Sequence, residues 1–247
     1  MRTLRVKVFR KPSGKNTISY YDIFTIEEKP RMSVLMLLDE IRDTKDPSLY
    51  YEAVCRSSIC GSCAIKINGK PMLACKTQTS DLPEDIKLEP LAVFPHIKDL
   101  GVDKAVFFEK LNRKLETWVH RDTPFENKDE IISDELSSRL YDTERCIECG
   151  ICISACPAAS FAGFIGATGS SKGLRFALDP RNENKEAHNK LLETLTSDEG
   201  LWGCHGVGVC ENFCPKEIPL INQLASARKE ILALVLGDWS RKFINML

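Results

Sequence analysis

Cys55-Arg56-Ser57-Ser58-Ile59-Cys60-Gly61-Ser62-Cys63, followed at a distance by Cys75, decides how this chain is read. The frame is C-x4-C-x2-C plus one remote cysteine, the spacing that sets four thiolates around a 2Fe–2S core. Such a core needs a loop that turns three thiolates inward. Gly61 lets the backbone approach closely or take a positive φ. Ser57, Ser58 and Ser62 are small enough for backbone N–H groups to point at cluster sulfurs, which raises the reduction potential. Structural zinc is the competing reading, but zinc favours paired C-x2-C knuckles, and this stretch offers a single pair.

Further along, Cys146-Ile147-Glu148-Cys149-Gly150-Ile151-Cys152-Ile153-Ser154-Ala155-Cys156-Pro157 reads C-x2-C-x2-C-x3-C-P. This is the bacterial ferredoxin run, whose fourth cysteine ligates the other cluster in two-cluster proteins. It therefore predicts a second run, and Cys204-His205-Gly206-Val207-Gly208-Val209-Cys210-Glu211-Asn212-Phe213-Cys214-Pro215 supplies it. One position differs: Val207 stands where the second cysteine belongs. Crossing the fourth ligands gives Cys146, Cys149, Cys152 and Cys214 to a 4Fe–4S cluster. Cys156, Cys204 and Cys210 remain, and three thiolates with an apolar residue at the vacant corner suit 3Fe–4S. With Cys55, Cys60, Cys63 and Cys75 on 2Fe–2S, the three sets use all 11 cysteines.

The composition agrees. An odd cysteine count, clustered in a chain of 247 residues, does not read as a secreted disulfide scaffold. The formal charge is −1, with scattered Lys and Arg, so no electrostatic footprint for nucleic acid is present. The longest apolar candidate, 231–236, falls far short of the roughly 20 residues of a membrane span and reads as a core or interface stretch. The first residues alternate charge with apolar side chains and lack the h-region of a signal peptide. A soluble chain, tethered only through partners, is the expectation.

The chain around the first motif reads as a small α/β domain. Leu4, Val6 and Val8 alternate as in a half-buried strand. Residues 20–26 form a second strand, and 34–41 repeat at helical spacing behind Ser33 as N-cap. Asn68-Gly69 between 64–67 and 71–74 predicts a hairpin that delivers Cys75, and 86–88 a last strand. Residues 90–95 look like a linker. Beyond it the periodicity turns helical over 107–119, 134–141, around 191–195 and over 220–234. Trp118 and Trp202 read as core or interface aromatics, and Arg228, Lys229, Arg241 and Lys242 as ordinary surface charges.

The order of plant-type site, bacterial run and bacterial run with an apolar second position resembles the iron–sulfur subunits of the succinate:quinone oxidoreductases, fumarate reductases included. The resemblance covers nearly the whole chain, Asn68-Gly69-Lys70-Pro71 before Leu73-Ala74-Cys75 included. It implies an α+β chain, with a β-grasp plant-type 2Fe–2S ferredoxin domain over 1–96. An all-α, bacterial-ferredoxin-like domain over 97–247 would bind the 4Fe–4S and 3Fe–4S clusters. It implies an FAD-bearing flavoprotein partner and a membrane anchor that binds quinone, often with haem b. It would hold the chain peripherally on the cytoplasmic face of the inner membrane. Matched by position from the cysteines, Pro157, Phe161, His205 and Val207 would surround the 3Fe–4S cluster and quinone. Succinate dehydrogenases commonly carry Trp at the place of Phe161; Phe has no N–H, which favours a menaquinone-linked fumarate reductase. His205 has a second reading, a partly buried imidazole bonded to a backbone carbonyl. The resemblance implies electron relay with no catalytic acid or base in this chain. Two alternatives stay open: a free multi-cluster carrier, and the iron–sulfur subunit of another quinone-linked dehydrogenase.

Overall fold

A computed structural model describes residues 2–14, 16–116, 118–124, 132–161 and 163–244, with the side chains of 161 and 238–244 outside the description. The chain divides into two compact units that do not follow chain order. The first is Met1–Phe107 with Ile147–Ala155 and Phe213–Pro215; the second is Phe108–Cys146, Cys156–Asn212 and Lys216–Leu247.

In the first unit, β1 (Thr3–Arg10) buries Leu4, Val6 and Val8 and exposes the residues between, as a period of two requires. It pairs antiparallel with β2 (Tyr20–Glu27). The helix α1 (Val34–Thr44) starts where Ser33 accepts a hydrogen bond from Met36 N at 3.2 Å, and Val34, Leu35, Leu37, Leu38 and Ile41 are buried. β3 (Ala64–Ile67) and β4 (Lys70–Leu73) turn at Asn68 and Gly69, both with positive φ, as a type I′ turn demands. β5 (Asp85–Glu89) lies parallel to β1 and antiparallel to β3, giving the order β2-β1-β5-β3-β4. The parallel pairing needs a crossover, and α1 lies within it.

The segment expected as a linker, 90–95, holds no strand or helix, but a short hairpin that the sequence did not announce follows it. A two-stranded hairpin, β6 (His96–Lys98) and β7 (Gly101–Val102), turns at Asp99, which has φ 43. The buried Asp99 carboxylate accepts from Lys11 N at 3.1 Å and Tyr50 N at 3.0 Å. Its Oδ1 lies 3.2 Å from Arg10 Nε. Arg10, only 4% exposed, also pairs with Asp22 at 2.9 Å and with Asp46.

The helix α2 (Ala105–Leu115), most of which belongs to the second unit, is shorter than its apolar spacing implies. Glu116 takes φ 47 and ends it, so Trp118 sits beyond the helix and is exposed. α3 (Asp134–Glu144) begins at Ser133, whose side chain accepts from Leu136 N. α4 (Ile151–Ala155) belongs to the first unit and packs on β4; α5 (Pro157–Phe161) follows in the second. The helix α6 (Gly166–Ala177) is the centre of the second unit, touching α3, α7 (Lys185–Thr196) and α9 (Leu220–Ile244). The short α8 (Val209–Asn212) leads towards α9, and Glu211 accepts from Ile221 N at 2.9 Å. Among the described residues, no helix is long and apolar enough to cross a membrane.

Candidate metal centres

The loop after Tyr51 wraps its backbone around sulfur. Arg56, Ser58 and Gly61 all take positive φ. Alternating handedness of this kind turns successive N–H groups into a concavity suited to negative charge. Ser57 N and Ile59 N each lie 3.4 Å from Cys55 Sγ, and Cys60 N lies 3.2 Å away. Ser58 Oγ lies 3.7 Å from Cys75 Sγ. Burial alone would raise the Cys60 thiol, but hydrogen bonds from Ser62 and the Cys55 backbone bring it down to about 6. Cys63 is buried, and that burial pushes its thiol up to about 12, with Cys75 and Cys60 close enough to add to the effect. All four expected thiols therefore converge.

Arg56 anchors the loop to α1. Its guanidinium donates to Asp39 at 2.6 and 3.3 Å, and Tyr51 donates its hydroxyl to the same carboxylate. Burial works against ionisation of Asp39, but these hydrogen bonds and the nearby Arg42 hold its pKa below the ordinary value.

The two C-P runs share a backbone frame. Glu148 and Gly150 take positive φ in the first, and Gly206 and Gly208 take it at the same offsets in the second. Val207 thus occupies the frame position of Cys149, yet it is 61% exposed while Cys149 is 8% exposed. Cys149, Cys152 and Cys214 fall in the first unit. Cys146 falls in the second, with its Sγ 3.4 Å from Thr168 Oγ1.

The structure brings Cys156, Cys204 and Cys210 together in the second unit. They line one cavity with Pro157, His205 and Val207, backed by Phe164, Leu220, Ile221 and Leu224. Burial pushes the Cys210 thiol up to about 11, and Cys204 and Cys156 add to that rise. Gly206 N donates to Cys204 Sγ at 3.3 Å. Arg228, expected to be a solvated charge, donates to the carbonyls of Cys204 at 2.7 Å and Leu201 at 2.8 Å, with Trp202 beneath it at 5.1 Å. His205 is exposed, which sets aside its reading as a partly buried imidazole. The side chain of Phe161 lies outside the described residues.

These seats fit inorganic clusters: the donors are soft thiols, and backbone N–H groups aim at them where the loops are tightest. Among the described residues, no group of three or more His, Cys, Asp or Glu is arranged to hold a single metal ion. Sequence reasoning singled out the cysteines but not their neighbours: Thr168 beside Cys146, Arg228 on the Cys204 carbonyl, and Lys104, whose Nζ donates to the carbonyls of Gly61 and Ser62. Each acts through a tertiary contact that leaves no mark on local spacing.

A sheet carrying one thiol loop and a helical array carrying paired runs define an iron–sulfur protein of the ferredoxin type. Residues 3–109 match the 2Fe-2S iron-sulfur cluster binding domain, and residues 142–218 match the 4Fe-4S dicluster domain. The fumarate reductase iron-sulfur subunit of Wolinella succinogenes is 36% identical over 238 residues, covering 94% of this chain and 99% of that one. The corresponding subunit of Escherichia coli O157:H7 is 31% identical over 219 residues, 88% of either chain. The succinate dehydrogenase iron-sulfur subunit of Bacillus subtilis is 28% identical over 238 residues, 93% of this chain and 92% of that one. A chain of the Mycobacterium smegmatis Sdh1 complex in the apo form shares the fold, with TM-score 0.82 and 23% identity over 93% of this chain and 95% of that chain. The chain belongs to the family of iron–sulfur subunits of fumarate reductases and succinate dehydrogenases.

Proposed function

We propose that this chain relays electrons between the FAD of a flavoprotein partner and a membrane quinone. Cys55, Cys60, Cys63 and Cys75 hold 2Fe–2S. Cys146, Cys149, Cys152 and Cys214 hold 4Fe–4S, and Cys156, Cys204 and Cys210 hold 3Fe–4S. The same reading divides the chain into a 2Fe–2S domain over 1–96 and a helical domain over 97–247. When bound, the clusters supply one-electron chemistry; the protein supplies their spacing, their hydrogen bonds and the exclusion of water.

The observation that carries the reading is the repeated backbone frame of the two C-P runs with Val207 in the cysteine position. Val207 offers no ligand, and it lines the cavity where Cys156, Cys204 and Cys210 meet. Pro157, His205 and Val207 line that largely apolar cavity. A lining of that kind suits a quinone ring, with His205 free to donate to its carbonyl. Phe161 belongs to the same reading and favours menaquinone, hence fumarate reduction as the working direction. An anchor subunit, often with haem b in this family, would hold the chain at the cytoplasmic face of the inner membrane.

The test is purification of the native complex from membranes. This chain should elute with a flavin-bearing chain and an anchor, and menaquinol should reduce its clusters. Elution as a small free species would reject the reading in favour of a mobile carrier. Reduction by a donor complex that lacks flavin would point to another dehydrogenase.

A further inference from the structure

Lys104 lies between β7 and α2, and its side chain reaches two cysteine loops at once. Its Nζ donates to the carbonyl oxygens of Gly61 at 3.1 Å and Ser62 at 3.3 Å, between Cys60 and Cys63. The stem of the same side chain runs past Gly150, between Cys149 and Cys152. A Cβ on Gly150 would stand 3.5 Å from Lys104 Cδ and 2.7 Å from Phe94 Cζ. The two loops also touch directly. Gly61 has φ +73, and a Cβ on it would stand 2.7 Å from Cys149 Cβ and 2.8 Å from Cys149 Cα. The backbone of one loop is therefore seated on a ligand-bearing residue of the other. All of these residues belong to the first unit.

We propose that Lys104 is a positioning residue for electron exchange between the 2Fe–2S and 4Fe–4S seats, its ammonium fixed on the first loop and its stem beside the second, so that its charge favours the reduced state of both clusters. This rests on the ligand sets given above. The step is a one-electron exchange: one cluster loses the electron that the other gains, and no bond or proton is transferred. An ammonium has three donors and no acceptor, so it fits a site made of carbonyl oxygens. Lys104 is half-buried, where screening by water is weaker than on an open surface. Each reduction adds a negative charge, and a cation fixed on the first loop, on a stem that passes the second, favours its arrival at either. A purely structural cap on two carbonyls would do none of this, because a neutral donor could replace it.

The test is a redox titration of the holo complex, followed by EPR at both clusters, in the wild type and in Lys104→Gln, Lys104→Met and Lys104→Arg. Gln keeps a donor for the carbonyls, Met keeps the stem against Gly150, and Arg keeps the charge. With iron content unchanged, the neutral variants should disfavour reduction of both clusters about tenfold, about 59 mV for a one-electron couple. Lys104→Arg should stay within about twofold of the wild type. Fully loaded neutral variants with unmoved potentials would overturn the proposal, as would a shift at one cluster alone. Loss of 2Fe–2S iron from both neutral variants would also overturn it, by showing a structural prop. Absence of the 2Fe–2S and 4Fe–4S signals from the wild type would instead break the ligand assignment beneath it.

Discussion

Around Cys55 and Cys60 the backbone closes on sulfur, with several N–H groups within 3.4 Å of a thiol. Around Cys156, Cys204 and Cys210 it leaves a cavity rimmed by apolar side chains, with Gly206 N on Cys204. Both loops use positive φ to turn their ligands inward. The difference lies in what completes the shell. The first loop has Cys75, delivered from the hairpin; the second has Val207, exposed and without a donor. On the proposed ligand sets, the loop with four thiols wraps itself and the loop with three keeps an opening.

The strongest way to break this comparison is to supply the missing ligand. Val207→Cys restores C-x2-C-x2-C-x3-C in the second run and should convert the three-thiol seat to a 4Fe–4S site. Iron analysis should rise, and the oxidised-state EPR signal of 3Fe–4S should vanish. An unchanged signal would mean that residue 207 does not stand at the vacant corner. The reverse change, Cys60→Ala, should remove the 2Fe–2S signal and leave the oxidised-state signal in place.

A second contrast concerns what surrounds the seats. In the first unit, Arg10 is buried among Asp22, Asp46 and Asp99, and the last of these pins the turn of the β6–β7 hairpin. Arg10→Met leaves these carboxylates without their cation and should cost about 3–5 kcal/mol, read as a lower unfolding midpoint in denaturant. In the second unit, Asp179 is buried between Arg175 and Arg181, and the hydrogen bonds they donate hold its pKa low against burial.

The pH dependence follows from these depressed carboxylates. Asp46 is lowered to about 2 by hydrogen bonds from Ser48 and Arg10. A depressed carboxylate contributes stability that is complete above its unfolded value, near 3.9, and is lost as pH falls through its folded value. Acid unfolding followed by circular dichroism should therefore steepen between about pH 4 and 2. Asp46→Asn should flatten that limb relative to the wild type; an identical acid limb would refute the role of the Arg10–Asp46 pair.

The smallest effect should come from the shell of the tight loop. Ser58→Ala removes the hydroxyl 3.7 Å from Cys75 Sγ. Losing one hydrogen bond to sulfur should disfavour reduction of the 2Fe–2S cluster about two- to fivefold, with the oxidised-state signal unaffected. A potential that did not move would mean that the hydroxyl donates elsewhere.

Much of the first unit was legible because its signals are local. Alternation marked β1, Ser33 marked the start of α1, and Asn68-Gly69 marked a hairpin, being among the strongest short-range signals for one. The hairpin at 96–102 was not legible, since its turn depends on Asp99 reaching Lys11, Tyr50 and Arg10 far away in the chain. The central helix α6 was missed for a different reason. Gly166, Gly169, Gly173, Ser170 and Ser171 are poor helix formers, and tertiary packing overrides their propensity. Gly173 lies against Leu195 with no room for a side chain. For the candidate site, spacing alone singled out the cysteines, because their order is short-range and visible without the fold. Lys104 and Arg228 reach carbonyls of the cysteine loops across tens of positions and could not be read from spacing.

EPR of the purified complex, oxidised and then reduced, with iron and sulfide analysis, tests the central claim most directly. A 3Fe–4S signal is expected in the oxidised state, and a 2Fe–2S signal should appear on reduction. No oxidised-state signal, with iron fitting two complete cubanes or zinc in place of iron, would contradict it.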